Sequence, residues 1–182
     1  MPTLHNALPP SHWVRRFAPL IAHGGAVLDL ACGEGRHARL LARLGYRVEA
    51  VDRDSQALAG LAGVTEVCTR CADLEASPWP YAAGSFDGIV IANYLHRPLL
   101  PALLDALRPG GVLIYETFAL GNEKLGRPSN PEFLLRPDEL LRWVNGRLNV
   151  LAFEQGRIER PKPAVIQRIC AVLRETAESS LE

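Results

Sequence analysis

Short apolar runs alternate with longer amphipathic segments over the first two thirds of the chain. Five runs read as strands buried on both faces: Ala26–Leu30, Arg47–Asp52, Glu66–Cys71, Phe86–Ala92 and Gly111–Thr117. Between them, Arg36–Leu44 places Leu40, Leu41 and Leu44 on one helical face, with Arg39 and Arg43 off it. Ser55–Leu61 and Pro98–Leu107 have similar spacing, and Ser11–His23 reads as a leading helix capped by Ser11. Strand–helix alternation predicts an α/β fold: a doubly wound, mostly parallel sheet with helices on both faces.

After Pro109-Gly110-Gly111 the texture changes. Gly121–Pro137 is rich in Gly, Pro and Asn, which predicts a long loop of the kind that often serves as a lid. Pro137-Asp138 opens a helix through Val144. Leu148–Glu154 and Val165–Arg174 are β-rich, and Gln155–Ala164 between them has no helical pattern. An antiparallel hairpin at the sheet edge is the expected result. With no repeat, low-complexity tract or composition break, residues 1–182 read as one domain. Its parts are a helical segment (1–24), a ligand-binding core (25–118), a lid loop (119–137), and a helix with a C-terminal hairpin (138–182).

Composition narrows the partners. The 182 residues are 48% hydrophobic and 22% charged, enough for a core without disulfides or structural metal. Lys plus Arg equals Asp plus Glu at 20 each, so no net positive charge marks a nucleic-acid or anionic-membrane partner. A small-molecule partner fits this balance better. Met1–Asn6 lacks the start of a secretory signal, no apolar run reaches the ~20 residues of a membrane span, and the four cysteines form no secreted framework. The expected location is the cytoplasm, with Leu181-Glu182 read as a possible vector remnant. Cys68 and Cys71 have C-x-x-C spacing, but no second pair completes a zinc set, so no metal site is expected.

The richest segment is Val27-Leu28-Asp29-Leu30-Ala31-Cys32-Gly33-Glu34-Gly35-Arg36-His37-Ala38, a buried strand running through a glycine turn into a helix. Glycine permits a tight turn and lets a ligand approach the main chain, and ligands of such sheets lie beyond the strands' carboxyl ends. Gly33-x-Gly35-x-x-Ala38 also satisfies a dinucleotide pattern. Asp29 separates the cases, because a carboxylate there suits an ammonium-bearing ligand such as S-adenosylmethionine (SAM) and gains nothing from a pyrophosphate. Bracing the loop is its alternative role. Asp52, ending the second strand, is placed to accept hydrogen bonds from ribose hydroxyls. Its alternative is a helix cap, for which Asp54 is better placed. Asp73-Leu74 after the third strand suits an adenine edge and face, or else a turn.

Taken in order, Leu28–Gly35, Val48–Asp52, Cys71–Leu74, Phe86–Asn93 and Leu107–Leu113 resemble the class I SAM-dependent methyltransferases. Asp29–Arg36 followed by Leu44–Val48 looks most like the tellurite-resistance type, although Ala31 stands where that motif often has Gly. The resemblance implies seven strands ending in an antiparallel hairpin. It implies that Asp29, Ala31, Gly33 and Gly35 line the methionine end, Asp52 and Arg53 flank the ribose, Asp73 and Leu74 hold adenine, and Ala92 offers its carbonyl to the amino group. The implied activity is methyl transfer from SAM to a small-molecule acceptor.

In-line displacement from a sulfonium needs orientation more than a catalytic triad. Where the acceptor must lose a proton, Glu116, His96 and Tyr115 are the candidates, beside Asn93 and Tyr94. Glu116 has an alternative pairing with Arg127 or Arg136, and a lone His96 opening a helix is commonly structural. Asn93-Tyr94 makes a poor amino-methylating motif, since Leu95 and His96 follow in place of prolines. Trp13 is a core residue by default, or else a cover for the ligand. Two other readings stand beside methyl transfer: an NAD-dependent oxidoreductase, which shares the glycine loop and the acidic ribose residue, and a non-catalytic SAM-binding protein.

Overall fold

The computed structural model describes residues 8–174; Met1–Asn6 and Leu181-Glu182 lie outside them. Seven strands form one sheet: β1 (Ala26–Leu30), β2 (Arg47–Asp52), β3 (Val67–Cys71), β4 (Phe86–Ala92), β5 (Leu107–Phe118), β6 (Leu148–Ile158) and β7 (Ala164–Leu173). Their order across the sheet is β3-β2-β1-β4-β5-β7-β6. The first five run parallel, and β7 is antiparallel to both β5 and β6. The expected doubly wound sheet and terminal hairpin are therefore present. The hairpin inserts its second strand against β5 and leaves β6 at the edge. The first hairpin strand runs four residues further than the pattern suggested and the second begins one residue earlier, so the connection shrinks to residues 159–163.

Alternation along each strand splits the core between the two faces. Leu28, Leu30, Ile89, Ile91, Leu113 and Tyr115 pack on one side with α4 (Leu100–Ala106) and α5 (Glu139–Val144). Val27, Ala50, Val90 and Ile114 pack on the other with α1 (His12–Phe17), α2 (Arg36–Arg43) and α3 (Ser55–Ala59). Covering both faces is what makes β1 and β4 nearly continuous apolar runs.

The third strand departs from expectation. Apart from half-buried Val67, the residues of β3 are exposed, because this strand forms the sheet edge. The leading helix is also shorter than Ser11–His23. Ser11 caps it as expected, accepting from the amides of Trp13 and Val14. Pro19 then lies in a single tighter turn over Ala18–Leu20 and the chain becomes extended at Ile21. Trp13 is 1% exposed, and its indole donates to the Ile169 carbonyl at 3.2 Å, so it is core and covers no ligand. Among the described residues, no helix is long and apolar enough to cross a membrane.

Candidate functional site

Strand order reverses between β1 and β4, and a crevice opens beyond their carboxyl ends, where open α/β sheets place ligands. Its volume is about 260 Å³. One wall comes from the β1 and β2 tips (Ala31, Asp52, Arg53), the floor from Asp73 and Leu74 after β3, and the far wall from Glu75, Tyr94 and Phe133. Five expected cofactor-binding positions thus meet there, Ala31, Asp52, Arg53, Asp73 and Leu74, together with Tyr94 from the acceptor-side candidates.

The glycine turn is built from three left-handed residues, Ala31 (φ 53°), Gly33 (φ 54°) and Gly35 (φ 75°). A left-handed alanine costs roughly 1–2 kcal/mol, which explains why glycine would be favoured at Ala31. The two glycines serve different ends. A Cβ on Gly33 would face open space, leaving its main chain accessible. A Cβ on Gly35 would lie 2.4 Å from Leu61, so this glycine lets α2 pack on Leu61 and lines no crevice.

Asp52 does more within the chain than the sequence suggested. Its Oδ2 accepts from the Gly33 amide at 2.8 Å, and its Oδ1 accepts from the Asp54 amide at 2.9 Å. Asp54 caps α3 as expected, accepting from Gln56 and Ala57, yet this does not leave Asp52 unengaged. Asp52 is thus the carboxylate seen bracing the glycine turn. Asp73 likewise makes a turn, accepting from the Glu75 amide at 3.0 Å, while still lining the crevice.

Asp29 is 1% exposed beneath the turn. One of its oxygens, Oδ2, has no hydrogen-bond partner. Burial pushes its carboxyl up to about 7, against the opposing pull of the Ala38 amide and the Arg36 charge. Ala92 ends β4 opposite Glu116. Neither Asp29 nor Ala92 lines the crevice wall.

None of Glu116, His96 and Tyr115 reaches the crevice wall. Tyr115 is buried, and its hydroxyl donates to the Tyr94 carbonyl at 2.8 Å. Burial also holds its proton far more tightly than in water, which suits a structural link and not a base. By alternation Glu116 falls on the opposite sheet face, with Val112 and Ile114. The strand register sets it across from Arg168, not against Arg127 or Arg136, and Arg168 itself pairs with Glu154. His96 precedes the turn Arg97–Leu99 without a side-chain capping bond, and its Nδ1 lies 4.0 Å from Glu75.

The sequence undervalued Glu75, Tyr94 and Phe133. They line both the crevice and a second hollow of about 220 Å³, bounded further by Asn93, Thr117 and Phe118. Phe133 is brought there by the expected loop, which is more structured than its composition implied. Tight turns occupy Asn122–Lys124 and Pro131–Phe133, and Leu134 and Leu135 are fully buried. The Leu135 amide donates to Phe118 O, and the Leu120 amide to Leu135 O. Arg97 fastens the rest: it pairs with Glu139 at 2.7 Å and donates to the carbonyls of Glu132 and Leu134. Held by this clamp, Phe133 remains half exposed over the crevice.

Residues 27–111 match the model of a family described as a methyltransferase domain. That match spans β1 to β4 and the start of β5, the strands whose tips and following turns form most of the crevice. Among curated proteins the chain is similar to protein-L-isoaspartate O-methyltransferase of Chlorobaculum tepidum, 33% identical over 109 residues. That match covers 56% of this chain and 48% of the relative, so the chain spans about half the relative's length. Among solved structures, TehB from Haemophilus influenzae superposes with a TM-score of 0.71 at 20% identity, over 89% of this chain and 61% of the other. A Burkholderia thailandensis 1,6-didemethyltoxoflavin-N1-methyltransferase, solved with its substrate and S-adenosylhomocysteine, gives 0.65 at 18% identity, over 91% and 80%. At these identities the structural likenesses speak to fold alone.

Proposed function

We propose that this chain is a SAM-dependent methyltransferase that acts on a small-molecule acceptor by in-line displacement. The observation carrying this is a pair of adjoining hollows at the sheet's switch point, sharing Glu75, Tyr94 and Phe133 as a common wall. One suits a donor and the other an acceptor.

The donor side fits SAM on its own features. An unpaired buried Asp29 oxygen suits a ligand bearing an ammonium group. Gly33 leaves its main chain open to a docking group. Asp52 has further lone pairs beyond its two amide bonds for ribose hydroxyls, with Arg53 beside it. Leu74 offers an apolar surface for adenine, and Asp73 a polar edge. Ala31 and Gly35 shape the turn, and the Ala92 carbonyl at the β4 tip is the proposed partner of the amino group. When bound, SAM supplies an activated methyl group. The protein's own task is to orient the acceptor in line and keep water out. Phe133, held by the Arg97 clamp, covers that space, so the 119–137 segment acts as a fixed wall more than a free lid. An NAD cofactor fits less well, because a buried carboxylate below the turn opposes a pyrophosphate.

Calorimetry with SAM and with NADH, followed by transfer of labelled methyl from SAM to a small-molecule panel, tests this. SAM binding with methyl transfer is expected. NADH binding without SAM binding refutes the assignment, and SAM binding without transfer to any acceptor reduces the protein to a SAM-binding module.

A further inference from the structure

The second hollow has an unusual balance of surfaces. Tyr94, Phe118 and Phe133 supply aromatic walls, and Asn93 and Thr117 supply polar atoms. Glu75 is the one charged side chain lining it among the described residues. The nearby cations lie elsewhere: Lys162 sits 5.9 Å from the centroid of the Phe118 ring, Arg53 lines the donor crevice, and His96 stands 4.0 Å from Glu75. Glu75 also borders the donor crevice, so its carboxylate stands where the two hollows meet. At about 220 Å³ the space is smaller than ordinary ligand pockets of roughly 300–1,000 Å³.

Building on the methyl-transfer assignment above, we propose that the acceptor is a small amine with an apolar or aromatic body, methylated on nitrogen, with Glu75 as the group that holds it. Anionic acceptors meet repulsion from a carboxylate in a space with no lining cation. An amine gains from that same carboxylate and from the aromatic faces, which attract cationic nitrogen. In the transfer, the lone pair of the neutral amine forms a bond to the methyl carbon. The carbon–sulfur bond breaks, and its electron pair stays on sulfur. The proton that leaves is the one the bound ammonium gives up to solvent by way of Glu75 before its lone pair attacks, and the product departs as the methylated ammonium. The Glu75 side chain is 41% exposed, which leaves that exit open.

The test uses butyl, benzyl and phenethyl frames, each as amine, alcohol, thiol and carboxylate. Calorimetry on protein saturated with S-adenosylhomocysteine measures binding, and labelled methyl from SAM measures transfer. Amines are expected to bind at least about 10-fold more tightly than the matched carboxylates, equivalent to ~1.4 kcal/mol, and to take the label. Glu75→Gln keeps the shape, removes the charge and should erase that preference. Stronger binding or faster labelling of the carboxylates or thiols overturns the proposal. So does saturable binding of the cofactor product with no amine bound or labelled, and so does an unchanged preference in Glu75→Gln. Failure of the cofactor product to bind at all is a different result: it removes the methyltransferase assignment, and this proposal with it.

Discussion

Replacing Asp29 with Asn should make the ligand-free protein more stable and its SAM binding weaker. Burial raises the Asp29 carboxyl from its ordinary 3.8 to about 7. The folded protein therefore holds a proton that the unfolded chain releases between these values. Stability falls as pH rises across that window and is flat above it. At roughly 1.4 kcal/mol per pH unit, the cost at pH 8 reaches about 4 kcal/mol as an upper bound. The Asp29→Asn change removes the titration, keeps an acceptor for the Ala38 amide, and leaves an unsatisfied donor costing ~1–3 kcal/mol. The net gain at pH 8 is then about 1–3 kcal/mol, or several degrees in Tm. Thermal melts of both proteins from pH 4.5 to 8 give the difference directly. His37, which burial pushes down to about 3, contributes to both curves and cancels. The difference should grow in favour of the Asp29→Asn variant between pH 4 and 7 and then level off. A pH-independent difference, or one growing toward acid, would refute the reasoning.

The glycine turn allows a paired comparison. Gly35→Ala drives a Cβ to 2.4 Å from Leu61 at a left-handed φ, so unfolding measurements should show a loss of about 2–5 kcal/mol. Gly33→Ala meets open space, so it should lose only about 1–2 kcal/mol while SAM affinity drops by calorimetry. Arg97→Met strands the 8%-exposed Glu139 and frees the Phe133 segment. Its stability should fall by about 3–5 kcal/mol in denaturant melts, and hydrogen exchange should quicken across residues 131–139.

Much of the fold was legible in the sequence, because β1 and β4 are buried on both sides and such strands advertise themselves as unbroken apolar runs. Val67–Cys71 was read as buried too, although it carries Thr69 and Arg70 side by side, and it lies at the edge. Its exposure follows from its place at the end of the strand order, which the apolar count alone does not reveal. The tips of β1, β2 and β3 were legible for a similar reason, since one motif follows each strand. Of the wall made by Glu75, Tyr94 and Phe133, only Tyr94 was singled out from the sequence. That wall joins three segments far apart in the chain, and only the Arg97 clamp carries Phe133 across. Tyr115 and Glu116 were separable in principle: strand parity places Tyr115 with Leu113 and Glu116 with Ile114, on opposite faces. The double hold of Asp52 on the Gly33 and Asp54 amides depends on backbone direction in a left-handed turn, which side-chain identity does not reveal.

The most direct test of the switch-point crevice is a calorimetric titration of SAM into the native chain and into Asp52→Ala. Loss of a carboxylate that braces the turn, and that is proposed to hold the ribose, should weaken SAM at least about 10-fold, or ~1.4 kcal/mol. Equal affinity in the two proteins would contradict the crevice as the cofactor's seat.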